Sequence, residues 1–137
     1  MVDCIFCDII NNRKPAIRIY EDERTIAFLD IAPLNHGHTL VIPRNHVAEI
    51  YNISEEDIAA VAQTVQKVAA SLKKILKCDG MNIFNTNEKA AWQEVDHLHF
   101  HVIPRWFKDD IKLQVVRKKL DIKEEVLTKL KQALQNH

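Results

Sequence analysis

Polar and apolar residues alternate without a break in the run His-Leu-His-Phe-His-Val-Ile at positions 97–103. A two-residue period is typical of a β-strand that buries one face, so the pattern predicts a strand over Val95–Ile103 that ends at Pro104. The apolar members Leu98, Phe100 and Val102 are expected to face the core. The histidines His97, His99 and His101 are expected to share the opposite face, about 6.6 Å apart at two strand rises.

Shorter apolar runs predict four further strands. These strands are expected at Ile17–Glu21, Thr25–Asp30, Thr39–Ile42 and Met81–Phe84. Between the second and third lies a segment rich in Pro, Asn and Gly, which is typical of a loop.

Two helices are predicted from apolar residues that recur at three- and four-residue steps. The first runs from Ser54 to Lys77, because Ser54 is a good N-cap, Asp57 can act as its capping partner and Gly80 can end the helix. The second starts at Asp121 with Glu124 as capping partner. Its apolar face consists of Ile122, Val126, Leu130 and Leu134.

The order of these elements predicts an α+β fold. Short connections between strands favour antiparallel pairing, so we expect a mostly antiparallel five-stranded sheet with one long helix and a C-terminal helix. The length of 137 residues suits a single domain with one sizeable core.

Charge and composition narrow the classes of partner. The chain has 19 basic and 19 acidic residues, so it has no general attraction for nucleic acid or for a membrane surface. An anionic substrate must therefore be held by a local site. We expect a cytoplasmic protein, because no run approaches a membrane span, the first residues do not have the pattern of a signal peptide, and three cysteines are a poor disulfide framework.

The three alternating histidines allow two chemical interpretations besides an exposed strand face that uses histidine by chance. Neighbouring histidines on a strand can present ligands to a catalytic metal. Alternatively, one histidine is a nucleophile and its neighbours position a phosphate group.

The run at 97–103 resembles the motif of the histidine triad superfamily, His-φ-His-φ-His-φ-φ, where φ is apolar. Gln93, the dipeptide Pro104-Arg105 and the segments 27–33 and 37–43 resemble that superfamily too. The resemblance extends from about Cys4 to Arg105. It implies a nucleotide-binding catalytic domain over residues 1–108, with residues 109–137 as a C-terminal helical extension of the same domain.

This resemblance implies nucleotidyl hydrolysis or transfer on nucleoside phosphoramidates, dinucleoside polyphosphates or acyl-nucleotides, with purine nucleotides favoured. The middle histidine, His99, would attack the α-phosphorus and form a nucleotidyl-imidazole intermediate that water cleaves to release a nucleoside monophosphate. His101 and His38 would bind the phosphate or leaving group, and Gln93 would orient the phosphate or the water. Neutral imidazole suits this role, because its ordinary pKa is about 6.5.

The same resemblance implies a nucleoside pocket. Asp30 would accept hydrogen bonds from the ribose hydroxyls, although it could equally be a turn residue at the end of a strand. The apolar slot for the base would consist of Ile5, Phe6, Ile9, Phe28 and Ile31, with simple core membership as the alternative for Ile9 and Phe28. The phosphate loop would be Asn85-Thr86-Asn87. Thr86 occupies the position at which the family most often has a phosphate-binding Asn, so Asn85 or Asn87 would take its place.

Three residues depart from the family pattern. Trp92 stands where Gly is common, Glu94 where Ser or Thr is common, and His36 where Pro or a small residue is common. Trp92 and Glu94 would border the phosphate. They leave open an alternative function, a zinc-stabilised nucleotide-binding or interaction protein with little turnover.

A metal site is suggested by the pair Cys4 and Cys7. One such CxxC pair is half a zinc site and a weak signal. Similarity to zinc-containing triad proteins adds His46 and His97, which would complete a closed, structural site with one Zn²⁺ per chain. The alternatives are two reduced cysteines beside an exposed His46, or a catalytic zinc bound by the triad itself.

The resemblance also implies a homodimer. The apolar stripe of the helix Ser54–Lys77 is long for so small a domain, so we expect that helix to contribute to an interface on the order of 1,500 Å² or more. The alternative is that the chain's own sheet covers the stripe.

Overall fold

The computed structural model of the protein describes residues 3–112 and 117–137. Positions 1, 2 and 113–116, which belong to the two predicted parts of the domain, lie outside the described residues. The described chain contains three α-helices, which are α1 (Ile5–Ile10), α2 (Glu55–Leu76) and α3 (Glu124–Gln135). It contains five strands, which are β1 (Arg18–Glu21), β2 (Thr25–Leu29), β3 (Thr39–Pro43), β4 (Gly80–Asn85) and β5 (Phe100–Arg105).

The strands form one sheet in the order β1-β2-β3-β5-β4, and every pairing in it is antiparallel. The predicted α+β class with a five-stranded sheet is therefore confirmed. In the registers of the central strands, Ile26 lies opposite Ile42 and Val41 lies opposite Phe100. β3 is buried along its whole length, because both faces of the sheet are covered.

Each face of the sheet carries its own apolar cluster. On one face α2 packs through Val61, Val65 and Val68 against a group that includes Leu98 and Val102. On the other face α1 packs through Phe6 and Ile9 against residues of β2 and β3, which are Ile26, Phe28, Leu40 and Ile42. The six-residue α1 was not predicted, because a helix this short depends on tertiary packing rather than on local sequence preference.

The start of α2 agrees with the prediction. The Ser54 side chain accepts a hydrogen bond from the backbone N–H of Asp57, and three acidic residues occupy the first turn. The helix ends at Lys77 in the left-handed conformation, whereas Gly80 is the first residue of β4. The predicted role of Gly80 in ending the helix is therefore wrong.

The apolar stripe of α2 is largely satisfied by the chain's own sheet. Val61, Val65 and Val68 are buried there, while Ile75 near the end of the helix is 75% exposed. The reason given above for a contribution of this helix to a dimer is thereby weakened.

The strand predicted at Val95–Ile103 is shorter and displaced. β5 begins at Phe100, so His97 and His99 precede it and only His101 lies in the strand. The backbone leaves the ladder there because the Leu98 N–H donates to Val47 O and the His99 carbonyl accepts from the Asn85 side chain. The predicted end at Pro104 is also wrong, since β5 continues to Arg105. Proline is tolerated at position 104 because the pairing of β3 with β5 covers Phe100 to Val102 and stops before Pro104. The Pro104 carbonyl accepts from the Asn35 side chain instead.

The last helix starts later than predicted. It begins at Glu124 with Lys123 at the N-cap, and no side chain caps it, so the predicted capping pair of Asp121 and Glu124 is wrong. Its apolar face, with Val126, Leu130 and Leu134, is exposed. Within the described residues, no helix combines the length and the apolar character needed to cross a bilayer.

Candidate active site

Seven candidate side chains meet at two points beside the segment His97–His101. We call the first group the Cys–His cluster, which consists of Cys4, Cys7, His46 and His97. We call the second group the His–Asp cluster, which consists of Asp30, His38 and His101. In each cluster the potential ligand atoms lie within 4.8 Å of one another. His99 lies between the two clusters.

The Cys–His cluster has the dimensions of a tetrahedral zinc site. His97 Nδ1 lies 3.4 Å from Cys4 Sγ, 3.7 Å from Cys7 Sγ and 3.2 Å from His46 Nδ1. Cys7 Sγ lies 3.4 Å from His46 Nδ1. The usual Zn–N and Zn–S bond lengths give tetrahedral edges of about 3.3 Å between two nitrogens and about 3.6 Å between sulfur and nitrogen. The four predicted ligands are therefore brought together, and they fit the ion.

The fold arranges these ligands from three separate parts of the chain. Cys4 is the N-cap of α1 and its Sγ accepts from the Cys7 N–H, so one helical turn places both sulfurs side by side. His46 follows β3, and the fully buried His97 precedes β5. His97 Nε2 lies 2.9 Å from Pro43 O, so that nitrogen carries the proton and Nδ1 presents its lone pair to the cluster.

Burial shifts the pKa values of two ligands of this cluster, His97 and Cys7. Burial lowers the pKa of His97 to about 4, so its ring is neutral at pH 7. Burial, followed by the hydrogen bond with Cys4, raises the pKa of Cys7 to about 11. A metal that binds here must therefore displace a thiol proton.

His99 is oriented through its own segment. Its Nδ1 lies 2.7 Å from the carbonyl oxygen of His97, so Nδ1–H donates and Nε2 keeps its lone pair. The edge of Phe6 packs at 5.2 Å from the ring, and the side chain is buried. Burial lowers the pKa of His99, although the carboxylates of Asp30 and Glu94 act in the opposite direction. The result is an imidazole whose Nε2 carries the free lone pair.

The His–Asp cluster is a directed hydrogen-bond chain. The backbone N–H of Leu34 donates to His38 Nδ1 at 3.0 Å, so the proton of His38 is on Nε2. That Nε2–H donates to His101 Nδ1 at 2.9 Å, with Asp30 Oδ2 at 3.5 Å. His101 must then carry its own proton on Nε2. Burial lowers the pKa of His38, and burial together with the neighbouring His99 and His38 lowers the pKa of His101 to about 4.

The hydrogen-bond chain from Leu34 through His38 to His101 disfavours a metal in the His–Asp cluster. A metal on His38 Nε2 requires the ring proton on Nδ1, where it would face the N–H of Leu34. In His97, by contrast, the nitrogen remote from the cluster faces a carbonyl oxygen. Catalytic zinc bound by the triad is therefore the weaker of the two metal hypotheses.

Gln93 does not present its amide to the site. The side chain is 5% exposed, and its Oε1 accepts from the Glu88 N–H at 2.6 Å. Its Nε2 donates to the carbonyls of Ala48 and Val95 at 2.7 and 3.0 Å. The amide thus holds the backbone before the triad, and the expected orientation of phosphate or water would have to be indirect. The neighbouring Trp92 is 85% exposed, and Glu94 is exposed as well.

The residues expected to form the base slot divide into two groups. Phe6, Ile9 and Phe28 are buried in the cluster under α1, as in the alternative that assigns Ile9 and Phe28 to the core. Ile5 is 45% exposed and Ile31 is fully exposed, so these two have free side-chain surface. Asp30 accepts from the Ala32 N–H through Oδ1 and faces His38 through Oδ2.

The predicted phosphate loop contacts the backbone of His99. Asn85 Nδ2 donates to the carbonyl of His99 at 2.9 Å, and Asn87 bridges Asn85 Oδ1 and the Ile50 N–H. The Thr86 hydroxyl is buried, and in the described part of the chain it has no hydrogen-bond partner. The contact of Asn85 with His99 was missed by sequence reasoning, because no pattern shows which side chain takes a given backbone carbonyl.

Comparisons with known proteins point to one family. A family model described as HIT domain matches residues 11–108. An uncharacterised HIT-like protein of Methanocaldococcus jannaschii is 45% identical over 93% of this chain and 98% of its own. The adenosine 5'-monophosphoramidase hnt1 of Schizosaccharomyces pombe is 39% identical over 76% of this chain and 75% of its own.

A solved structure extends the likeness to the fold. The crystal structure of a Zn-bound histidine triad family protein from Mycobacterium smegmatis superposes with a TM-score of 0.77 at 38% identity. The match covers 96% of this chain and 97% of that one.

Proposed function

The chain belongs to the HIT domain family, and we propose that it hydrolyses or transfers the nucleotidyl group of a phosphoramidate, dinucleoside polyphosphate or related nucleotide conjugate. The observation that carries this proposal is the hydrogen bond from His99 Nδ1 to His97 O, which leaves Nε2 free as a nucleophile. The name of the fission yeast relative, adenosine 5'-monophosphoramidase, favours a purine nucleoside and an amine leaving group.

The proposed reaction has two substitutions at phosphorus. His99 Nε2 forms a bond to the α-phosphorus, and the leaving group departs with its bonding pair and takes a proton from water. A water molecule then forms a P–O bond as the P–Nε2 bond breaks. The water releases a proton, and the bonding pair returns to Nε2, which restores the neutral imidazole. The Nε2–H of His101 donates a hydrogen bond to the phosphate or leaving group, which offsets the developing charge without proton transfer.

Other residues would recognise the nucleotide. We propose that Asp30 binds the ribose hydroxyls, that Ile5 and Ile31 offer apolar surface to the base, and that the buried Thr86 hydroxyl finds its missing partner on the phosphate. Glu94 adds a carboxylate to this site, which disfavours leaving groups that carry several negative charges.

We further propose one structural zinc ion in the Cys–His cluster, supported by the cluster geometry and by the Zn-bound relative. Four protein ligands would leave the ion without an open position for water, so it would stabilise structure rather than activate a nucleophile. Thiolate ligands require a reducing environment, which supports a cytoplasmic location as a further proposal.

Release of a nucleoside monophosphate tests the function. Purified protein is incubated with adenosine and guanosine phosphoramidates, dinucleoside polyphosphates and adenylated sugars, with His99→Ala as control. We expect release by the wild type, a nucleotidyl adduct on His99 after rapid quenching, and loss of release in a folded His99→Ala variant. Near-normal turnover by that variant would exclude the mechanism. Nucleotide binding without release would favour the alternative of a zinc-stabilised binding protein, which the family departures Trp92 and Glu94 leave open.

A homodimer remains a proposal, now supported by a different surface. β4 is an edge strand of the sheet, and its residue Ile83 is 46% exposed. An exposed edge strand is a template for pairing with another chain. Sedimentation equilibrium is expected to give twice the chain mass, and a monomer mass at every concentration would rule the dimer out.

A further inference from the structure

The carboxylate of Asp109 is a hydrogen-bond centre just beyond β5. It receives Arg105 through both oxygens, with Nε at 2.8 Å and Nη2 at 3.2 Å. It also accepts the backbone N–H groups of Trp106 and Ile111. The side chain is 7% exposed, and these donors, Arg105 first, hold the pKa of Asp109 well below its usual range. Residues 105–111 are thus tied into one turn around a single charge.

Asn35 joins this turn to the loop that carries His38. Its Nδ2 donates to Asp109 Oδ2 at 3.0 Å and to Pro104 O at 2.9 Å, so both amide hydrogens are used. Its backbone carbonyl accepts from the His38 N–H at 3.1 Å. One residue therefore connects the Asp109 carboxylate to the backbone of the proposed active-site histidine.

The position of this loop decides the protonation pattern of His38. The donor to His38 Nδ1 is the backbone N–H of Leu34, the neighbour of Asn35. Leu34 itself is 50% exposed, so its side chain gives the loop little packing. Gly37 brings the loop against the end of α2 with a positive φ of 80°, where an added Cβ would lie 2.7 Å from Leu76 Cδ1. Asn35 supplies a polar anchor for the same loop through the Pro104 carbonyl and the Asp109 carboxylate.

We propose that Asn35 and Asp109 are positioning residues that fix the tautomer of His38 and, through it, that of His101. With the loop held, the Leu34 N–H occupies Nδ1 and the Nε2–H of His38 points at His101. If the loop shifts, His38 samples both tautomers, and the Nδ1–H tautomer presents a lone pair instead of a donor to His101. The segment after β5, far along the chain from His38, is in this way part of the catalytic arrangement.

Two variants and one matched control test the proposal. Only the kinetic measurement depends on the proposed function. Asn35→Ala removes the link and leaves the pair of Arg105 and Asp109 in place. Asn35→Asp puts a second carboxylate beside Asp109 in the same volume. The control is Asn82→Ala, which removes the acceptor of Arg105 Nη1 at 2.7 Å without touching the His38 loop. Each protein is studied by ¹⁵N NMR of its imidazole rings, by thermal melting and by kinetics of nucleoside monophosphate release.

In the wild type we expect His38 to show one protonated and one unprotonated ring nitrogen. In both Asn35 variants the two ¹⁵N shifts should move towards each other, and kcat should fall by about 10- to 100-fold with little change in KM. Asn82→Ala should leave both readouts near wild type. Unchanged His38 shifts in a folded Asn35→Ala protein would overturn the proposal, whatever the kinetics. A wild type without turnover but with the expected shifts would reject the proposed function and keep the positioning role.

Discussion

The Cys–His cluster and the His–Asp cluster are similar in composition and size. Each contains two histidines, each gathers its polar atoms within 4.8 Å, and His97 and His101 come from the same short segment. The two clusters differ in the group that contacts the ring nitrogen pointing away from the cluster, which is Nε2 in His97 and Nδ1 in His38. The remote nitrogen of His97 faces a carbonyl oxygen, and that of His38 faces a backbone N–H.

That contrast assigns different chemistry to neighbouring histidines. A carbonyl holds the proton on the far nitrogen and exposes a lone pair, which is what a metal requires. An N–H takes the far lone pair and exposes a proton, which is what a developing negative charge requires. The proximity of histidines alone therefore does not identify a metal site, and backbone groups separate the two cases.

The largest effect is expected when the Cys–His cluster is broken. Cys4→Ser/Cys7→Ser should reduce bound zinc from about one ion per chain to none, while retaining some chemistry at His99. If free zinc is about 1,000 times its Kd, the free energy of unfolding falls by about 4 kcal/mol. Metal analysis of untagged protein purified without added metal, together with chemical denaturation, measures both quantities.

The same experiment tests the assignment of the metal. His101→Asn should keep its zinc, because its ring belongs to the other cluster. Equal zinc in the wild type and in the double cysteine variant would refute the Cys–His site and favour a metal at the triad.

A smaller effect is expected when the His–Asp cluster is broken. His38→Ala removes the donor to His101 Nδ1 and should lower kcat by about 100-fold, with bound zinc unchanged. His36→Ala is a matched control, since His36 lies in the same loop, has an exposed side chain, and donates to Asn35 Oδ1 through its backbone N–H. If both variants lose activity equally, the loop as a whole rather than the hydrogen-bond chain is responsible.

The smallest effect concerns pH. Burial lowers the pKa of His101 to about 4 from an ordinary value of 6.5, so between these values the unfolded chain binds more protons than the folded chain. The contribution of His101 to stability is therefore complete above about pH 6.5 and is lost as the pH falls towards 4. In the zinc-free double cysteine background, His101→Asn should flatten the decline in unfolding free energy between pH 7 and pH 4.5. An unchanged slope would show that His101 is not neutral in the folded state.

The sequence predicted the repeating parts of the fold well. β2, β3 and α2 lie within one or two residues of their predicted bounds, because burial of an apolar face produces a period that can be read directly. Leu98 and Val102 are buried as expected. The same alternation placed His97 and His99 in a strand, since it cannot show that Asn85 and Val47 take the ladder's hydrogen bonds.

The site was harder to predict wherever a side chain binds the backbone. Gln93 was expected to face the phosphate, yet its amide is used by three backbone groups. The helix that covers the triad was missed because Phe6 and Ile9 give too short a signal, and it explains why His97 and His99 are buried on a face that the pattern left polar.

His97 links the Cys–His cluster to His99. Its ring belongs to that cluster, and its backbone carbonyl accepts from His99 Nδ1. The ring's partners are distant along the chain, since Cys4 is 93 positions and His46 is 51 positions away from His97. Closing such long loops is slow and costs entropy, so this cluster should complete late in folding. A newly made chain would then acquire its oriented His99 only at the end of folding, so the proposed nucleotidyl chemistry would be confined to fully folded molecules.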